Sequence, residues 1–421
     1  MNIQPIRGMK DFLPNQTRLR DYTQRVILDT YQKSGFERIS TPILEDIGNL
    51  MNSEGGDNLN LIFQVMKRGA KFDEAFAQGR ADQLSDMGLR YDLTLPLARF
   101  YAANHAVLPN PFKVIQIDRA YRAERPQKGR NREFMQCDID IIGDYSINAE
   151  IELMTVTAQA LSALGFSGFS IHVNDRRVLR GLLSSMGFKE EVMDGVCICL
   201  DKLDKINIDG VCAELADRQY DRQAIQSLYE FLSKNIMNVQ DAACMLPDKS
   251  PARELETIIS SVRALSDGKY GVEYTPALVR GQGYYTGAVF EVVCADFPGA
   301  LAGGGRYDGM IGKFLGADVP AVGFSIGFER ICALLAEHGF TVPASPRLAL
   351  IYKGDDEFLE ALKKAGQLRR QYNVTVLRQA AKPGKQLAVL KNLGYNAAAH
   401  TDSADIVPFD RPADPEQPDV I

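Results

Sequence analysis

The clearest alternation of apolar and polar residues lies between Val114 and Ile142. Val114–Ile117 predicts a strand, Pro126–Gly129 a turn, and Phe134–Ile142 a returning strand. In the returning strand, polar side chains occupy every second position: Gln136, Asp138 and Asp140. Side chains two residues apart in a strand share a face, so this hairpin should present its three polar groups together.

Apolar residues at helical spacing predict a long helix over Thr17–Lys33 near the start of the chain. The next segment, Phe36–Leu44, predicts a strand that Pro42 interrupts. Such a strand belongs at a sheet edge or at an interface with another chain. Further along, the same reasoning predicts a helix over Asn148–Leu164 and a strand over Phe169–Val173.

The chain has 421 residues, more than one core usually organises, so two or three domains are expected. Residues 176–268 have a mostly helical pattern without glycine motifs, which predicts a helical insertion. The insertion divides a larger domain, made of residues 1–175 and 269–340. Residues 346–410 alternate between strand and helix patterns, which is typical of a small α/β domain, and residues 411–421 form an acidic tail.

The composition, 45% hydrophobic and 24% charged, is that of an ordinary globular protein. No apolar run approaches the length of a membrane span, and the first residues do not resemble a signal peptide. We therefore expect a cytoplasmic protein without a membrane partner. The seven cysteines and four histidines form no set with metal-ligand spacing, so we expect reduced thiols and no metal site.

The formal net charge of −6 argues against a general nucleic-acid binder, but the charge is unevenly placed. Residues 346–400 hold ten Lys or Arg against four acids, a net charge of +6. Residues 401–421 hold six acids against one Arg, a net charge of −5. The overall average therefore conceals a basic C-terminal module followed by an acidic tail.

The first candidate site is a basic cluster between Arg119 and Glu133, where six Lys or Arg stand against two acids. Arginines on a hairpin could hold a polyphosphate by forked, charge-assisted hydrogen bonds. Gln136 and Asp140, on the returning strand, could then bind a cationic or amide-like group. The alternative is a solvated basic loop, which is the usual role of a charge run.

Two further features suggest ligand contacts. Asp92 and Thr94 are predicted to share a strand face, a geometry that suits an ammonium group, although Thr94 could instead begin a helix. Gly303–Gly305 is not a P-loop because no Lys-Ser/Thr follows it, and no GxGxxG opens a helix. We expect these glycines to admit the backbone close to a base or a sugar.

Five segments, taken in order, resemble the motifs of class II aminoacyl-tRNA synthetases, and among them the histidyl-tRNA synthetase family. Gly35–Pro42 resembles motif 1, whose proline-bearing strand lies at a dimer interface in that class. Arg122–Phe134 resembles motif 2 and Gly323–Arg330 resembles motif 3. Arg280–Gly287 and Gly304–Asp308 are similar to signatures of the histidyl enzymes. Each segment is short, but five in the right order identify the family.

The resemblance implies an α+β catalytic domain of class II type, with a mostly antiparallel sheet flanked by helices. The helical insertion and a small C-terminal α/β domain, which would read the anticodon, complete the expected fold. The implied activity is that of a homodimer that activates histidine with ATP and Mg²⁺ and transfers it to tRNA. Charge grows on phosphate oxygens in that reaction, so prepositioned cations should supply the stabilisation.

The resemblance also implies roles for single residues. Arg280 and Arg122 are the expected catalytic residues, because both would hold the α-phosphate during attack by the histidine carboxylate. The expected ATP-binding residues are Arg122, Glu124, Arg130, Phe134 and Arg330. The expected histidine-binding residues are Asp92, Thr94, Gln136, Asp140, Tyr284 and Tyr285.

Within these sets, Phe134 would stack on adenine, and Arg330 would hold the γ-phosphate and stack on the other side of the base. Asp92, Thr94 and Gln136 would take the ammonium group. Asp140 and Tyr285 would read the two imidazole nitrogens. A site of paired polar groups rejects analogues that lack them by a factor of about 10⁴ or more, so no editing domain is expected.

The sequence departs from the family pattern at three places. Gly283 stands where an acid is frequent, and Ser325 stands where a glycine is common. The C-terminal module is short, so we expect anticodon contact to be reduced in extent or made differently. Two rival functions remain open. One is a catalytically inactive, histidine-binding regulatory subunit of ATP phosphoribosyltransferase, and the other is a paralogue that charges an acceptor other than tRNA.

Overall fold

In the computed structural model, the chain divides into two compact units, the first ending at Phe340 and the second beginning at Thr341. The structure describes residues 2–52, 60–125, 131–234, 238–280, 284–343 and 345–409. The first unit holds a large mixed sheet with flanking helices, and the second is a small α/β unit. The predicted fold class is confirmed.

The first unit mixes strands and helices along the chain, with one long run of helices between residues 176 and 266. Its described strands are β1 (Glu37–Arg38), β2 (Leu44–Asp46), β3 (Gln64–Met66), β4 (Ser85–Leu89), β5 (Phe112–Tyr121), β6 (Glu133–Ile142), β7 (Ser170–Asp175), β8 (Gly271–Tyr274), β9 (Ala288–Cys294), β10 (Phe297–Arg306) and β11 (Ala321–Gly327). Its described helices are α1 (Pro14–Lys33), α2 (Ile47–Met51), α3 (Ala70–Ala77), α4 (Thr94–Asn104), α5 (Asn148–Ala163), α6 (Arg176–Ser185), α7 (Glu190–Leu200), α8 (Leu203–Asp217), α9 (Arg222–Ser233), α10 (Val239–Met245), α11 (Ser250–Ser266), α12 (Asp308–Leu315) and α13 (Phe328–Glu337).

Eight strands form the central sheet in the order β1-β5-β6-β11-β10-β9-β7-β8. Neighbouring strands are antiparallel, except that β1 is parallel to β5 and β7 is parallel to β8. The predicted hairpin is β5–β6, which pairs from Phe112 opposite Ile142 to Tyr121 opposite Glu133 without a register shift. The alternation in the sequence of β6 therefore becomes two chemically different faces of the sheet.

One face of the sheet is apolar and covered by helices. Ile139 and Ile141 of β6 belong to a buried cluster with Ile27 of α1 and Leu153 of α5. Burying each such side chain stabilises the fold by roughly 1.5–3 kcal/mol. The polar residues of the same strand must then point to the opposite face, which is where the chemistry described below is found.

The segment after α1 differs from the predicted strand over Phe36–Leu44. Only Glu37–Arg38 pairs with β5, and the chain then passes through Pro42, whose nitrogen has no hydrogen to donate to a ladder. It next enters a separate three-stranded sheet of order β2-β4-β3. Several apolar side chains on and beside this small sheet are exposed: Ile43, Leu44, Met66 and Met87.

The region predicted to be a helical insertion corresponds to α6–α11, which lie between β7 and β8 in the chain. Its buried residues, such as Leu182 and Leu255, belong to the same apolar cluster as the core of the central sheet. The helix α11 packs against both α5 and β7. The insertion is thus joined to the sheet through a shared core.

The second unit contains β12 (Arg347–Tyr352), α14 (Phe358–Leu368), β13 (Asn373–Arg378), α15 (Pro383–Asn392), β14 (Ala397–His400) and β15 (Ile406–Pro408). Its sheet has the order β13-β12-β14-β15, in which β15 is antiparallel and the other pairs are parallel. The predicted acidic tail, 411–421, lies outside the described residues. Within the described ranges, no helix is long and apolar enough to span a bilayer.

Candidate active site

One row across the central sheet gathers polar groups from neighbouring strands. In the observed register, Gln116 of β5 lies opposite Asp138 of β6, and Asp138 lies opposite Ser325 of β11. The row continues from Ser325 to Gly303 of β10 and from Gly303 to Glu291 of β9. Directly paired residues point to the same face, so this row lines the face opposite the apolar core. We call it the site face.

The adjacent row of the site face leaves space for two side chains. Asp140 lies opposite Gly323, which lies opposite Gly305. A Cβ added at Gly323 would lie 2.0 Å from Asp140 Oδ1, and one at Gly305 would lie 2.8 Å from Tyr285 Cδ1. The glycines of 303–305 belong to β10, and those at 303 and 305 leave space for the side chains of Arg280 and Tyr285. A close approach of their backbone to a base or a sugar stays a prediction.

Aromatic residues surround Asp140. Its Oδ1 accepts a hydrogen bond of 2.7 Å from the Tyr307 hydroxyl, and both residues are buried. The Tyr307 ring contacts Tyr284 edge-on at a centroid distance of 6.0 Å, and Tyr284 lies 4.8 Å from Tyr285. Asp140 and Tyr285, both predicted to bind imidazole, therefore lie in one cluster with Tyr284 and Tyr307. We refer to the space between these four side chains as the hollow.

Asp92 and Thr94 reach the site face from the turn that begins α4. Gln116 Nε2 donates to Leu93 O at 2.8 Å, which holds this turn over the first row. Asp92 Oδ1 accepts from the Leu95 backbone N–H at 3.3 Å. The prediction that Asp92 and Thr94 share a strand face is wrong, because the chain has already left β4 and entered the helix. Asp92, rather than Thr94, satisfies a free N–H of the first turn.

Arg280 lies over the bare backbone of Gly303. Its Nη1 donates to Glu291 Oε2 at 2.8 Å. A Cβ added at Gly303 would lie 2.3 Å from Arg280 Nη2, so only glycine leaves space for the guanidinium in this position. The predicted catalytic arginine is thus held on the site face by one carboxylate and one missing side chain.

Arg122 lies over the ring of Phe134, with its guanidinium carbon 5.0 Å from the ring centroid. Its Nε donates to Tyr91 O at 3.1 Å. Phe134 stands two residues before Gln136 in β6, so its ring is on the site face. The two residues that were predicted to hold the α-phosphate and the adenine are therefore in contact with each other.

Arg330, in the first turn of α13, also begins on the site face. A Cβ added at Gly327 would lie 3.5 Å from Arg330 Cδ, and Gly327 lies opposite Gln136. The guanidinium donates to Ala300 O and lies 5.7 Å from the centroid of Phe297. Here it approaches Phe297 at the start of β10, whereas we predicted that it stacks on a base across from Phe134.

Three arginines from distant parts of the chain, Arg122, Arg280 and Arg330, thus lie over one face of one sheet. Strands are about 4.8 Å apart and residues advance about 3.4 Å along a strand. The sheet positions beneath the three side chains therefore lie within roughly 17 Å of one another. Cations arranged in this way can hold a polyanion beside the hollow that contains Asp140.

Buried carboxyl groups dominate the electrostatics of the hollow. Burial raises the pKa of Asp92 to about 6, against the opposing effects of the Leu95 N–H and Arg122. Burial raises the pKa of Asp140 to about 7, against the opposing hydrogen bond from Tyr307. Burial, and then the charge of Asp140, raise the pKa of Asp138 well above its ordinary value. A cation entering the hollow would favour the ionised carboxylates, so this arrangement can accommodate a positively charged group.

Two of the residues considered in the sequence, Arg130 and Gly283, lie outside the described residues. Glu124 follows β5, and its carbonyl oxygen accepts from Arg132 Nε at 3.1 Å. The contact of the Glu124 carboxylate with ATP stays a prediction.

The sequence reasoning missed Glu291, Tyr307 and a buried ion pair between Arg306 and Glu150. Arg306 Nε and Nη2 donate to the Glu150 carboxylate at 2.6 and 2.7 Å. The Arg306 carbonyl accepts from the Thr286 N–H at 2.8 Å, which ties the turn after the tyrosine pair to β10. Arg306 and Tyr307 were visible in the Gly-rich signature, whereas nothing in the local sequence marked Glu150 or Glu291.

Comparison with known proteins adds independent information. A family model described as Histidyl-tRNA synthetase matches residues 8–331. The histidine--tRNA ligase of Leifsonia xyli subsp. xyli is 45% identical over 349 residues, which cover 79% of this chain and 80% of that protein.

Two solved structures have a similar fold. The crystal structure of histidyl-tRNA synthetase from Nostoc sp. has a TM-score of 0.77 at 28% identity and covers 94% of this chain and 91% of that one. A Bacillus halodurans structure described as an ATP phosphoribosyltransferase regulatory subunit/histidyl-tRNA synthetase has a TM-score of 0.76. Its identity is 21%, with coverage of 95% of this chain and 98% of that one, so it shows the fold alone.

Proposed function

This chain belongs to the histidyl-tRNA synthetase family, and from that premise we propose that it joins histidine to tRNA in two steps. In the first, a carboxylate oxygen of histidine attacks the α-phosphorus of ATP, the bond to pyrophosphate breaks, and histidyl-adenylate forms. In the second, a hydroxyl of the terminal ribose of tRNA attacks the histidyl carbonyl carbon, and AMP leaves. The protein is therefore an ATP-dependent ligase of protein biosynthesis.

The observation that carries this function is the common face of Arg122, Arg280 and Arg330 beside the hollow of Asp140. A synthetase needs cations over the phosphates and a separate, uncharged or acidic pocket for the amino acid. Attack on the α-phosphorus creates negative charge on the phosphate oxygens and requires no nucleophilic side chain. The three arginines and the separate hollow of Asp140 are consistent with these two requirements.

Arg280 is the proposed donor to the transition state. Its Nη1 donates to Glu291, while Nη2 lies over Gly303, which belongs to the same row of the sheet as Asp138. A guanidinium in this position can bridge the histidine carboxylate and the α-phosphate. Arg122 would hold the α-phosphate beside an adenine stacked on Phe134, and Arg330 would hold the γ-phosphate. Glu124 and Arg130 complete the proposed ATP site.

Histidine would occupy the hollow between Asp140 and Tyr285, which would bind the two imidazole nitrogens. Tyr284 and Tyr307 supply the aromatic wall. Asp92, Thr94 and Gln136 would bind the ammonium group at the other end of the substrate. Because buried polar groups would be left unpaired by an apolar analogue, this pocket would discriminate without an editing step.

We propose that Mg²⁺ enters with ATP. In the described part of the chain, no group of three or more His, Cys, Asp or Glu side chains could hold a metal ion. Mg²⁺ is commonly bound by substrate phosphates and only one or two carboxylates, and Glu124 is the candidate carboxylate here. When bound, the ion would neutralise charge on the phosphates, and the arginines would orient them.

Partners beyond the substrates are also proposals. Ile43, Leu44, Met66 and Met87 are exposed apolar residues on and beside the small sheet, and a second copy of the chain would cover them, so we expect a homodimer. The second unit, with its basic residues, would contact the tRNA anticodon. Both expectations, and a cytoplasmic location, follow from the family.

Histidine-dependent exchange of labelled pyrophosphate into ATP, followed by charging of total tRNA with labelled histidine, tests the function. We expect both reactions. Exchange without charging would favour a paralogue with another acceptor. Absence of exchange together with tight histidine binding would favour a regulatory, non-catalytic role. Light scattering on the same sample would measure the oligomeric state.

A further inference from the structure

Three buried oxygen atoms on the site face accept no hydrogen bond from the rest of the described chain. They are Asp92 Oδ2, Gln136 Oε1 and Asp138 Oδ1. A buried polar atom without a partner destabilises a fold by roughly 1–3 kcal/mol, so one such atom needs an explanation. Three in one place indicate a ligand that supplies several donors.

The three oxygens belong to one part of the site face. Gln136 and Asp138 are two residues apart on β6, and Gln136 Nε2 donates to the second oxygen of Asp138, Oδ2, at 3.3 Å. The turn that carries Asp92 is held above Asp138 by Gln116, which lies opposite Asp138 and donates to the Leu93 carbonyl. Asp92 and Asp138 are close enough to interact electrostatically.

We propose that Asp138 is a substrate-binding residue that accepts a hydrogen bond from the α-ammonium group of histidine, together with Asp92 and Gln136. This inference rests on the proposed function and adds one residue to it. An ammonium group has three N–H donors and no acceptor, which matches three unpaired acceptors. The resemblance of the sequence to the family implied Asp92, Thr94 and Gln136 for the ammonium group, without Asp138.

The burial of Asp138 supports this assignment. Asp138 is only 5% exposed, and its Oδ1 accepts no hydrogen bond from the described chain. Its other oxygen, Oδ2, already accepts from Gln136 Nε2 at 3.3 Å. The hydrogen-bonding capacity of Oδ1 is therefore unused without a ligand.

The charges that face Asp138 also favour a cationic partner. Burial, and then the charges of Asp140 and Asp92, raise the pKa of Asp138, whereas hydrogen bonds with Ser325 and Gln136 lower it. Arg280 is paired with Glu291, and Arg122 interacts with Asp92. The ammonium group of a bound substrate would therefore be the positive charge next to this carboxyl.

Asp138→Asn is the test variant, because an amide keeps the shape of the carboxyl group but cannot become an anion. Glu273→Gln is the matched control. Glu273 stands in the same row of the sheet, on the edge strand β8, and its side chain is 61% exposed. Thermal unfolding of both variants would establish that they are folded before binding is measured.

Three ligands, titrated calorimetrically into each protein, separate the groups of the substrate. They are histidine, histidinol, which lacks the carboxylate, and imidazolepropionate, which lacks the ammonium group. We expect Asp138→Asn to weaken the binding of histidine and of histidinol by about 10- to 100-fold, because a hydrogen bond to a charged group is lost. The affinity for imidazolepropionate should change less than about twofold. Glu273→Gln should bind all three as the parent does.

Equally weakened binding of all three ligands would overturn the proposal, because Asp138 would then act only by shaping the pocket. Unchanged affinity for histidine would overturn it as well. If the proposed function is wrong, the result is different, because the parent protein itself will show no histidine-dependent pyrophosphate exchange.

Discussion

The Tyr307 hydroxyl donates to Asp140 Oδ1 at 2.7 Å inside the hollow proposed for the imidazole ring. The bond fixes the orientation of a carboxylate that would otherwise rotate. It also lowers the pKa of Asp140, which burial raises. Tyr307 is thus a positioning residue for Asp140, and its contribution is measurable by removing a single oxygen.

Tyr307→Phe should raise the KM for histidine about tenfold and leave the KM for ATP unchanged. The reason is that a buried hydrogen bond to a charged group is lost, which is worth roughly 1.5 kcal/mol. Steady-state pyrophosphate exchange, with each substrate varied in turn, measures both constants. Asp140→Ala should raise the histidine KM further. An unchanged histidine requirement in either variant would remove the pair from the pocket.

Arg280→Ala should lower kcat for adenylate formation far more than it weakens histidine binding. The guanidinium is proposed to act when charge develops on the α-phosphate, and such an interaction appears mainly in the transition state. Glu291→Gln should lower kcat by a smaller factor, because Glu291 only holds Arg280 at 2.8 Å. Single-turnover kinetics and histidine titration provide the two measurements. Equal losses in rate and in binding would contradict the role of Arg280.

Gly303→Ala should imitate the loss of Arg280 without unfolding the protein. The new methyl group would lie 2.3 Å from Arg280 Nη2, so the flexible guanidinium must move away. We expect kcat to fall at least tenfold while the unfolding temperature stays close to that of the parent. Gly309→Ala is the control, since a Cβ there would meet nothing within 4 Å. Full activity of Gly303→Ala would show that the position of Arg280 does not matter.

The stability of the ligand-free protein should fall as the pH rises from 5 to 8, in part because of Asp140. Its pKa is about 7 in the folded protein against 3.8 for an ordinary Asp. A raised folded-state pKa gives stability that is complete below the ordinary value and is lost as the pH rises through the folded value. Between pH 5 and pH 8, the free energy of unfolding of the Asp140→Asn variant should therefore fall by roughly 2–3 kcal/mol less than that of the parent. Denaturant unfolding at the two pH values measures the difference, and parallel curves would contradict it.

Arg306→Leu should destabilise the protein by roughly 3–5 kcal/mol, because it leaves the buried Glu150 without its partner. Both side chains of this pair are at most 10% exposed. Lys363→Leu is the comparison, since it breaks an exposed pair with Glu360 whose side chains are 63% and 64% exposed. Lys363→Leu should lower the free energy of unfolding by less than about 1 kcal/mol. Denaturant unfolding measures the loss of stability in both variants. Similar losses would mean that burial of the ion pair of Arg306 is unimportant.

The sequence alone determined those features that depend on local periodicity and on the order of motifs. The alternation of Gln136, Asp138 and Asp140 placed them on one face of a strand, because successive side chains of any strand point in opposite directions. The order of five short segments identified the family and hence the fold class. Neither conclusion required knowledge of which strands become neighbours.

Only the tertiary structure decided which groups meet across the sheet. The contacts of Arg280 with Glu291 and of Tyr307 with Asp140 depend on strand register, which brings together residues far apart in the chain. For the same reason, the prediction that Asp92 lies in a strand was wrong, since its turn is held by Gln116 from β5. Local sequence fixes the direction of a side chain relative to its own backbone, whereas its partners are set by the packing of distant segments.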